Sequence, residues 1–383
     1  MLEGLELPRV SFRKGISKYT QVQRQIREMI NDGTLKPNTR LPSETRIAKE
    51  LAVSVSTIRQ ALEGLRQDGL LDRIHGSGTF VRSCQGGKLS GSSVNSSLIA
   101  CVVGDMRWVE KVPYPAMVEI FRGVHRVVDN SNYTFSITGL DKRNTNFVDD
   151  YILGIFAPGT VAGLLVSAQE LANSEIERLS ETGVPTVVCN RFSHLPSLLS
   201  VRVNICEGVF EAVDYLIRLG HKRIALLNSR STYPLGMEIL VGLRTALQKH
   251  GIGFDPEYVR DVGYNADLAL SAMRELLNVD RERRPTAALL ADDVLARRIV
   301  NEVEKDGLKV PDDLSVIGCT ELPEAGPTSK CLSTIYVPLE EMGRCGAQML
   351  IDELTGKGVE NRSVILPVEF HPGETTAEPS QGS

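Results

Sequence analysis

Residues 41–82 constrain the fold more than any other part of the chain, because they predict several short elements in a set order. The segment LPSE supplies a turn-forming proline and a capping serine before an amphipathic helix. A second helix is predicted from Val55 to Gln67, with Ser54 as its cap. The apolar positions of this helix lie on one face: Ile58, Leu62 and Leu65. Two alternating segments, LLDRI and TFVR, follow around a glycine-containing turn, so the whole stretch predicts a winged helix-turn-helix.

Polar residues at the helix starts and at the wing tip are the candidates for DNA contact. In such a motif the second helix enters the major groove, and the wing tip lies against the sugar-phosphate backbone. The predicted DNA-binding residues are Ser43, Glu44, Arg46, Ser54, Ser56, Thr57, Arg59, His75, Gly76 and Ser77. We expect Arg59 to read a base edge, while Arg46 and the wing tip hold the backbone. The alternative for His75 is a plain turn residue.

This region resembles the GntR family of bacterial transcription regulators. The match runs from about Lys18 to Arg82 and includes LPSE, a V-S-x-x-T-h-R-x-A-L helix (h, a hydrophobic residue) and the wing segment GSGTFV. The resemblance implies binding to double-stranded operator DNA. Two positions depart from the family pattern, since Thr45 and Val55 stand where family arginines contact DNA.

The charge distribution agrees with a DNA-binding region at one end of the chain. Residues 1–83 carry 14 Lys and Arg against 9 Asp and Glu, a net charge of +5. The whole chain carries 43 against 48, so residues 84–383 have a net charge of −10. A basic region on an acidic body is typical of a protein that binds phosphate at one end only, although ordinary surface charge is the alternative.

A segment rich in glycine and serine divides the chain. Residues 84–97 have almost no apolar anchors, which is typical of a flexible linker. We therefore predict a winged helix-turn-helix domain over residues 1–83 and a second domain over residues 98–372. Residues 373–383 are predicted to be a disordered tail. A chain of 383 residues has room for two or three such domains.

Composition and cysteine usage predict a soluble cytoplasmic protein. The chain is 42% hydrophobic and 24% charged, no apolar run reaches the roughly 20 residues that span a bilayer, and the N-terminus has no secretory signal. The seven cysteines form no C-x-x-C pair, and the six histidines occur singly. We therefore expect reduced thiols, no metal site and no cofactor.

The region after the linker alternates buried β-branched segments with amphipathic helices. This pattern predicts parallel sheets covered by helices on both faces. Two such series indicate an α/β domain of two doubly wound subdomains with a cleft between them. The predicted elements include a helix around residues 146–155 and a strand over residues 258–264.

Residues 98–370 resemble the effector domain of LacI-type regulators, which is related to periplasmic sugar-binding proteins. The most specific segments are LGHKRIA at residues 219–225 and VPDDLSVIG at residues 310–318. A GntR-type DNA-binding region fused to such a domain is the arrangement of arabinose-type repressors. The resemblance implies a repressor of carbohydrate-utilisation genes that responds to a sugar-like effector and acts as a homodimer through its effector domains.

Polar residues at predicted strand ends are the candidates for effector binding, because ligands of open α/β sheets bind beyond the carboxyl ends of the strands. The predicted effector-binding residues are Asp105, Tyr114, Arg191, Glu238, Tyr264, Asp293 and Glu321. Charged groups would bind sugar hydroxyls, and tyrosine rings would pack against the C–H face of a sugar.

Several of these candidates have a structural alternative. Either Asp292 or Asp293 would cap a helix, Arg191 would be a surface charge, and Tyr264 would belong to the core.

The LacI-type resemblance places four of the candidates at the family's pocket positions: Asp105, Tyr114, Arg191 and Asp293. Elsewhere the chain departs from the family. Ile239, with Glu238 beside it, replaces an arginine, Asn204 replaces an aspartate, and Val337 replaces a glutamine.

Three other functions remain as alternatives. The first is an enzyme with a DNA-binding appendage, although the chain has no G-x-x-x-x-G-K-[ST], H-E-x-x-H or G-x-S-x-G motif. The second is a solute-binding protein of a transport system. The third is an activator that responds to a ligand other than a sugar.

Overall fold

A computed structural model describes residues 18–31, 34–36, 39–67, 70–74, 78–81, 97–104, 115–139, 160–167, 169, 171–191, 193, 195, 197–320 and 330–380. The chain divides into two compact units, Met1–Val94 and Asn95–Ser383. The division falls inside the predicted linker, of which only Ser97 is among the described residues. Across the described residues, no helix combines the length and the apolar character needed to cross a membrane.

The first unit contains the two helices and two strands that the sequence predicts, together with a further helix before them. They are α1 (Lys18–Asn31), α2 (Glu44–Glu50), α3 (Val55–Gln67) and the strands β1 (Leu71–Ile74) and β2 (Gly78–Val81). The strands are antiparallel, with Leu71 opposite Val81. Ile26, Ile47 and Ile58 are fully buried, one from each helix, and the three helices therefore share one core.

The second unit is built on two six-stranded sheets. Its strands are β3 (Leu98–Val103), β4 (Thr134–Gly139), β5 (Gly163–Ser167), β6 (Thr186–Cys189), β7 (Leu199–Val203), β8 (Ile224–Asn228), β9 (Val259–Asp261), β10 (Ala287–Leu290), β11 (Ser315–Thr320), β12 (Ser333–Tyr336), β13 (Ser363–Leu366) and β14 (Glu369–His371). Its helices are α4 (Pro115–Val128), α5 (Asn173–Glu181), α6 (Ile205–Arg218), α7 (Pro234–Lys249), α8 (Ala266–Leu277), α9 (Asp293–Lys305) and α10 (Leu339–Leu354).

The sheet topology confirms the predicted pair of doubly wound subdomains. The first sheet has the order β13-β7-β6-β5-β3-β4, and all of its neighbours are parallel. The second has the order β14-β12-β11-β10-β8-β9, and only β14 is antiparallel. In the described part of the chain the backbone crosses between the sheets after β7, after β12 and after β13. The strand predicted over residues 258–264 is shorter, because Gly263 adopts a left-handed φ of 60° and turns the chain. The helix predicted around residues 146–155 lies outside the described residues.

Two glycines allow α4 and α10 to cross with their backbones in contact. A Cβ atom on Gly123 would lie 1.9 Å from the carbonyl oxygen of Glu340. A Cβ atom on Gly343 would lie 2.0 Å from the carbonyl oxygen of Ile120. Any other residue at either position would force the helices apart.

The prediction of a disordered tail over residues 373–383 is wrong for residues 373–380, which form an ordered segment that we call the C-terminal strap. Thr375 is buried, and its carbonyl oxygen accepts a hydrogen bond from the Val316 amide at 2.7 Å. The hydroxyl of Thr375 donates to the Val316 carbonyl at 2.7 Å and accepts from the Ser333 amide at 2.9 Å. The strap therefore satisfies backbone groups near the starts of β11 and β12 that would otherwise be buried without partners. Residues 381–383 lie outside the described part.

A buried histidine holds the far end of the strap. His221 contacts the hydroxyl of Thr286 through Nδ1 and the carbonyl of Ala377 through Nε2, each at 2.8 Å. Burial lowers the pKa of His221, and the Ala377 carbonyl opposes this shift. The neutral ring is therefore the form that the packed strap favours.

Candidate functional sites

The starts of α2 and α3 are held by the serines that the sequence predicts as caps. The Ser43 hydroxyl accepts from the Arg46 amide at 3.3 Å, and the Ser54 hydroxyl accepts from the Thr57 amide at 3.1 Å. The Ser54 hydroxyl also lies 2.8 Å from that of Ser56 and 2.7 Å from that of Thr57. These contacts order the first turn of the predicted recognition helix.

Three elements of the first unit meet at one carboxylate. Arg59 of α3 donates from Nε to Glu44 Oε2 at 3.0 Å, and Arg73 Nη2 of β1 lies 3.8 Å from Glu44 Oε1. Both arginine side chains are 64% exposed, whereas that of Glu44 is 23% exposed. Arg46 instead donates to Glu50 at 2.8 Å within α2. The structure therefore brings the predicted Glu44 and Arg59 together.

Arg73 and Arg40, which lie beside the wing, were not predicted from the sequence as DNA-binding residues. Arg40 forms an isolated antiparallel β-bridge with Phe80 of β2. The Nε atom of Arg40 lies 2.9 Å from the position that a Cβ atom on Gly78 would take. Their basic character next to the wing segment was the available indication. The predicted wing-tip residues His75, Gly76 and Ser77 lie outside the described residues, and so their DNA contacts stay predictions.

The two acidic residues before α9 have different positions. Asp292 caps the helix, with Oδ1 accepting from the amides of Val294 at 2.7 Å and Leu295 at 3.1 Å. Asp293 is fully buried, and its Oδ1 accepts from the Thr334 hydroxyl at 2.6 Å. The capping alternative therefore applies to Asp292. Effector contact by Asp293 stays a prediction, and its burial favours an indirect role.

Arg191 is buried where β6 ends. Its guanidinium donates to the Leu171 carbonyl and to Asn173 Oδ1, so it holds the loop that follows β5. Burial lowers the pKa of Arg191, and the nearby Glu175 carboxylate opposes this shift. The structure thus places Arg191 among protein partners, and not at an exposed strand end.

The first turns of α7 contact the other subdomain. Gln169 donates from Nε2 to the Asn190 carbonyl at 2.5 Å and accepts from the Leu235 amide at 3.4 Å. Arg202 Nη1 of β7 lies 3.7 Å from Glu238 Oε1 of α7. Burial raises the pKa of Glu238, and Arg202 opposes this shift. Gln169 and Arg202 were missed by the sequence analysis, because a residue's partner across two sheets is not encoded locally.

Two further residues mark the strand ends of the second sheet. Tyr264 is partly exposed and follows Gly263, whose amide donates to the Ser229 carbonyl at 2.7 Å after β8. Thr320 ends β11 with a φ of 105°, and its buried hydroxyl has no hydrogen-bond partner among the described residues. A strained residue at a strand end is typical of binding sites. Asp105, Tyr114 and Glu321 lie outside the described residues.

Comparisons with known proteins agree with this two-part architecture. Residues 18–81 match the model for bacterial regulatory proteins of the gntR family, and residues 213–376 match that for a periplasmic binding protein-like domain. Among curated relatives, the arabinose metabolism transcriptional repressor of Geobacillus stearothermophilus is 29% identical, covering 92% of this chain and 95% of its own. The repressor CytR of Escherichia coli K12 is 29% identical, covering 67% of this chain and 74% of its own.

Solved structures show the same fold. A complex of the transcriptional regulator CelR with cellobiose has a TM-score of 0.66 at 23% identity, covering 88% of this chain and all of its own. The resemblance predicted from the sequence is confirmed. The chain is thus similar to gntR-family regulatory proteins over residues 18–81 and to periplasmic binding protein-like domains over residues 213–376.

Proposed function

We propose that this protein is a ligand-responsive transcription regulator that represses carbohydrate-utilisation genes. The observation that carries the proposal is the capped helix α3, which exposes Arg59 on a basic unit joined to a domain of ligand-binding type. The relatives include repressors of arabinose metabolism, which supports repression as the direction of regulation. A protein with this function acts on DNA in the cytoplasm.

The proposed effector is a sugar or sugar derivative that binds where the strands of the two sheets end. The amide groups of Gln169 and Asn190, the phenol of Tyr264 and the hydroxyl of Thr320 lie at these strand ends. The Arg202–Glu238 pair lies there as well. Such groups offer hydrogen bonds to a polyol, and an aromatic ring offers a face to its C–H groups. The effector changes operator binding only if it has unequal affinity for two conformations of the domain.

The proposed active form is a homodimer joined through the effector domains. Two half-sites of an operator lie about 34–36 Å apart, which requires two linked DNA-binding units. Val118 on α4 is 47% exposed, and Ile137 on the edge strand β4 is 43% exposed. Among the described strands β4 is the last of its sheet, and the exposed apolar side chains there favour a second copy of this chain as the partner.

The experiment that tests this function starts from a random duplex library. The purified chain is expected to enrich a sequence with two related half-sites, and one ligand of a panel of L-arabinose, cellobiose and D-ribose is expected to change its affinity for that duplex. Failure to enrich any sequence would contradict the proposal. Chemical turnover of a panel member would favour the alternative of an enzyme with a DNA-binding appendage.

A further inference from the structure

Glu44 stands out in the first unit because it links two exposed arginines from different elements. Its two carboxylate oxygens face Arg59 of the recognition helix at 3.0 Å and Arg73 of the wing strand at 3.8 Å. Glu44 itself is the first residue of α2. One side chain of the first helix of the motif therefore touches both the second helix and the wing.

The contact with Arg59 determines which part of the guanidinium remains available. Nε is engaged by the carboxylate, which leaves Nη1 and Nη2 for other partners, and the Arg59 side chain is 64% exposed. These two groups suffice for the bidentate pairing of an arginine with O6 and N7 of a guanine. A charge-assisted hydrogen bond also restricts a long side chain that otherwise samples many rotamers.

An acidic side chain in this position has a cost for DNA binding of any sequence. A negative charge near the phosphates is repelled by them. The Debye screening length is about 10 Å at 0.1 M salt, so salt does not remove the repulsion at shorter distances. Orientation of the arginines is therefore the contribution that Glu44 makes to a DNA-binding surface. Glu63, on α3 of the same unit, pairs with Arg66 at 2.6 Å and serves as a control for the removal of one negative charge.

We infer that Glu44 is a positioning residue that sets base preference through Arg59 and brings Arg73 into the same DNA-contacting surface. The inference rests on the proposed DNA-binding function. Glu44 acts here without contacting a base, and Arg73 contacts the DNA backbone from the wing strand.

The test measures the affinity of the full chain for the duplex that the parent enriches and for a scrambled duplex. Glu44→Ala and Glu63→Ala remove the same charge, so each should raise affinity for the scrambled duplex about two- to fivefold. Only Glu44→Ala should lower the ratio of the two affinities, by at least about fivefold. Glu44→Gln keeps an acceptor for Arg59 Nε and should retain the ratio within about twofold.

A double variant shows whether Glu44 acts through Arg59. In the Arg59→Ala background, Glu44→Ala should cause no further loss of the ratio. Additive losses, an unchanged ratio in Glu44→Ala, or an equal loss in Glu44→Gln would overturn the positioning role. Unfolding curves identify any variant that fails to fold. If Glu44→Ala does not fold, the ratio of the two affinities is measured for Glu44→Gln instead.

Arg73→Ala tests the second part of the inference. It should weaken binding to both duplexes alike and reduce the salt slope by about one. An unchanged salt slope would remove Arg73 from the surface. If the parent itself prefers no sequence, the proposed function fails, and that result is distinct from all of these.

Discussion

Asp293 and Thr334 form a buried hydrogen bond that ties the first turn of α9 to β12. The Thr334 hydroxyl donates to Asp293 Oδ1 at 2.6 Å. Gly318 of β11 lies against the same oxygen, since a Cβ atom there would be 2.2 Å away. Three elements of the second subdomain are therefore joined just beneath the strand ends where the effector is proposed to bind.

We expect Asp293→Ala to abolish the effector response while leaving operator binding without ligand intact. The same variant should lower the free energy of unfolding by about 1–3 kcal/mol, because it leaves the Thr334 hydroxyl buried without a partner. Titration of the enriched duplex with and without the active panel ligand measures the response. Thr334→Ser keeps the hydroxyl and serves as the control. A parent-like response in Asp293→Ala would show that the residue has no part in effector binding.

Arg59→Ala should flatten base preference, whereas Arg46→Ala should weaken binding to all sequences alike. An exposed arginine on the recognition helix contributes about 1–3 kcal/mol of discrimination when it pairs with a guanine. A backbone contact contributes instead to the salt slope. Competition against a panel of single-base variants measures both effects. Unchanged preference in Arg59→Ala would refute the assignment.

Substitution of Thr375 tests the energetic importance of the C-terminal strap. Thr375→Val preserves shape but removes the hydroxyl that bonds Val316 and Ser333, and so the free energy of unfolding should fall by about 1–3 kcal/mol. Denaturant unfolding of the full chain measures the loss. Glu378→Gln, an exposed position in the same segment, should have little effect. Equal stability of the two variants would mean that the strap contributes nothing.

Stability should decline between neutral and mildly acidic pH because of His221. The pKa of His221 in the folded state is lowered from 6.5, so the unfolded chain binds the proton at higher pH than the folded one. The free energy of unfolding therefore falls as the pH falls below 6.5. The loss ends once the pH passes below the folded-state pKa. Hydrogen bonds from Lys249 and His250 lower the pKa of Asp214 below its usual 3.8. Asp214 therefore affects the stability only at more acidic pH, near and below 3.8.

Thermal unfolding at pH 7.5 and pH 5.5 isolates the histidine. A His221→Gln variant should be less stable than the parent at pH 7.5 but should lose less on acidification. Parallel losses in the two proteins would assign the pH dependence to other groups.

A double substitution, Val118→Asp with Ile137→Asp, should shift the chain from dimer to monomer. Both side chains are exposed and apolar, and two charges on each copy would meet across a symmetric interface. Sedimentation at micromolar concentration measures the state. Val241→Asp on α7, where the side chain is also exposed, should leave it unchanged. A parent chain that is monomeric with and without DNA would rule out the proposed dimer.

Local patterns made the DNA-binding unit predictable in detail. The cap at Ser54 and the spacing of Ile58, Leu62 and Leu65 depend only on neighbours in the sequence, and both are present. The sequence alone could not decide whether Asp292 or Asp293 caps the helix. The capping residue is the one with an extended backbone, and that is Asp292, with φ −158° and ψ 139°. Both residues precede the same helix.

Long-range partners explain what the sequence analysis missed. Thr375 lies in a polar segment that resembles a solvated tail, yet its hydroxyl bonds Val316, far away in the chain. Arg202 lies inside a strand, and its partner Glu238 belongs to the other subdomain. Neither relationship follows from periodicity or capping, because both depend on how the sheets are placed by the three crossings.

The glycine crossing of α4 and α10 has a mechanical consequence. Helix α10 begins directly after the chain leaves β12, and its backbone touches that of α4 at Gly123 and Gly343. Backbone atoms meet at the two glycines, and side-chain rotamers have little room there to absorb a displacement. We therefore expect a shift of the crossing segment at Val337 and Pro338 to move α4 as well, and with it the exposed face that carries Val118.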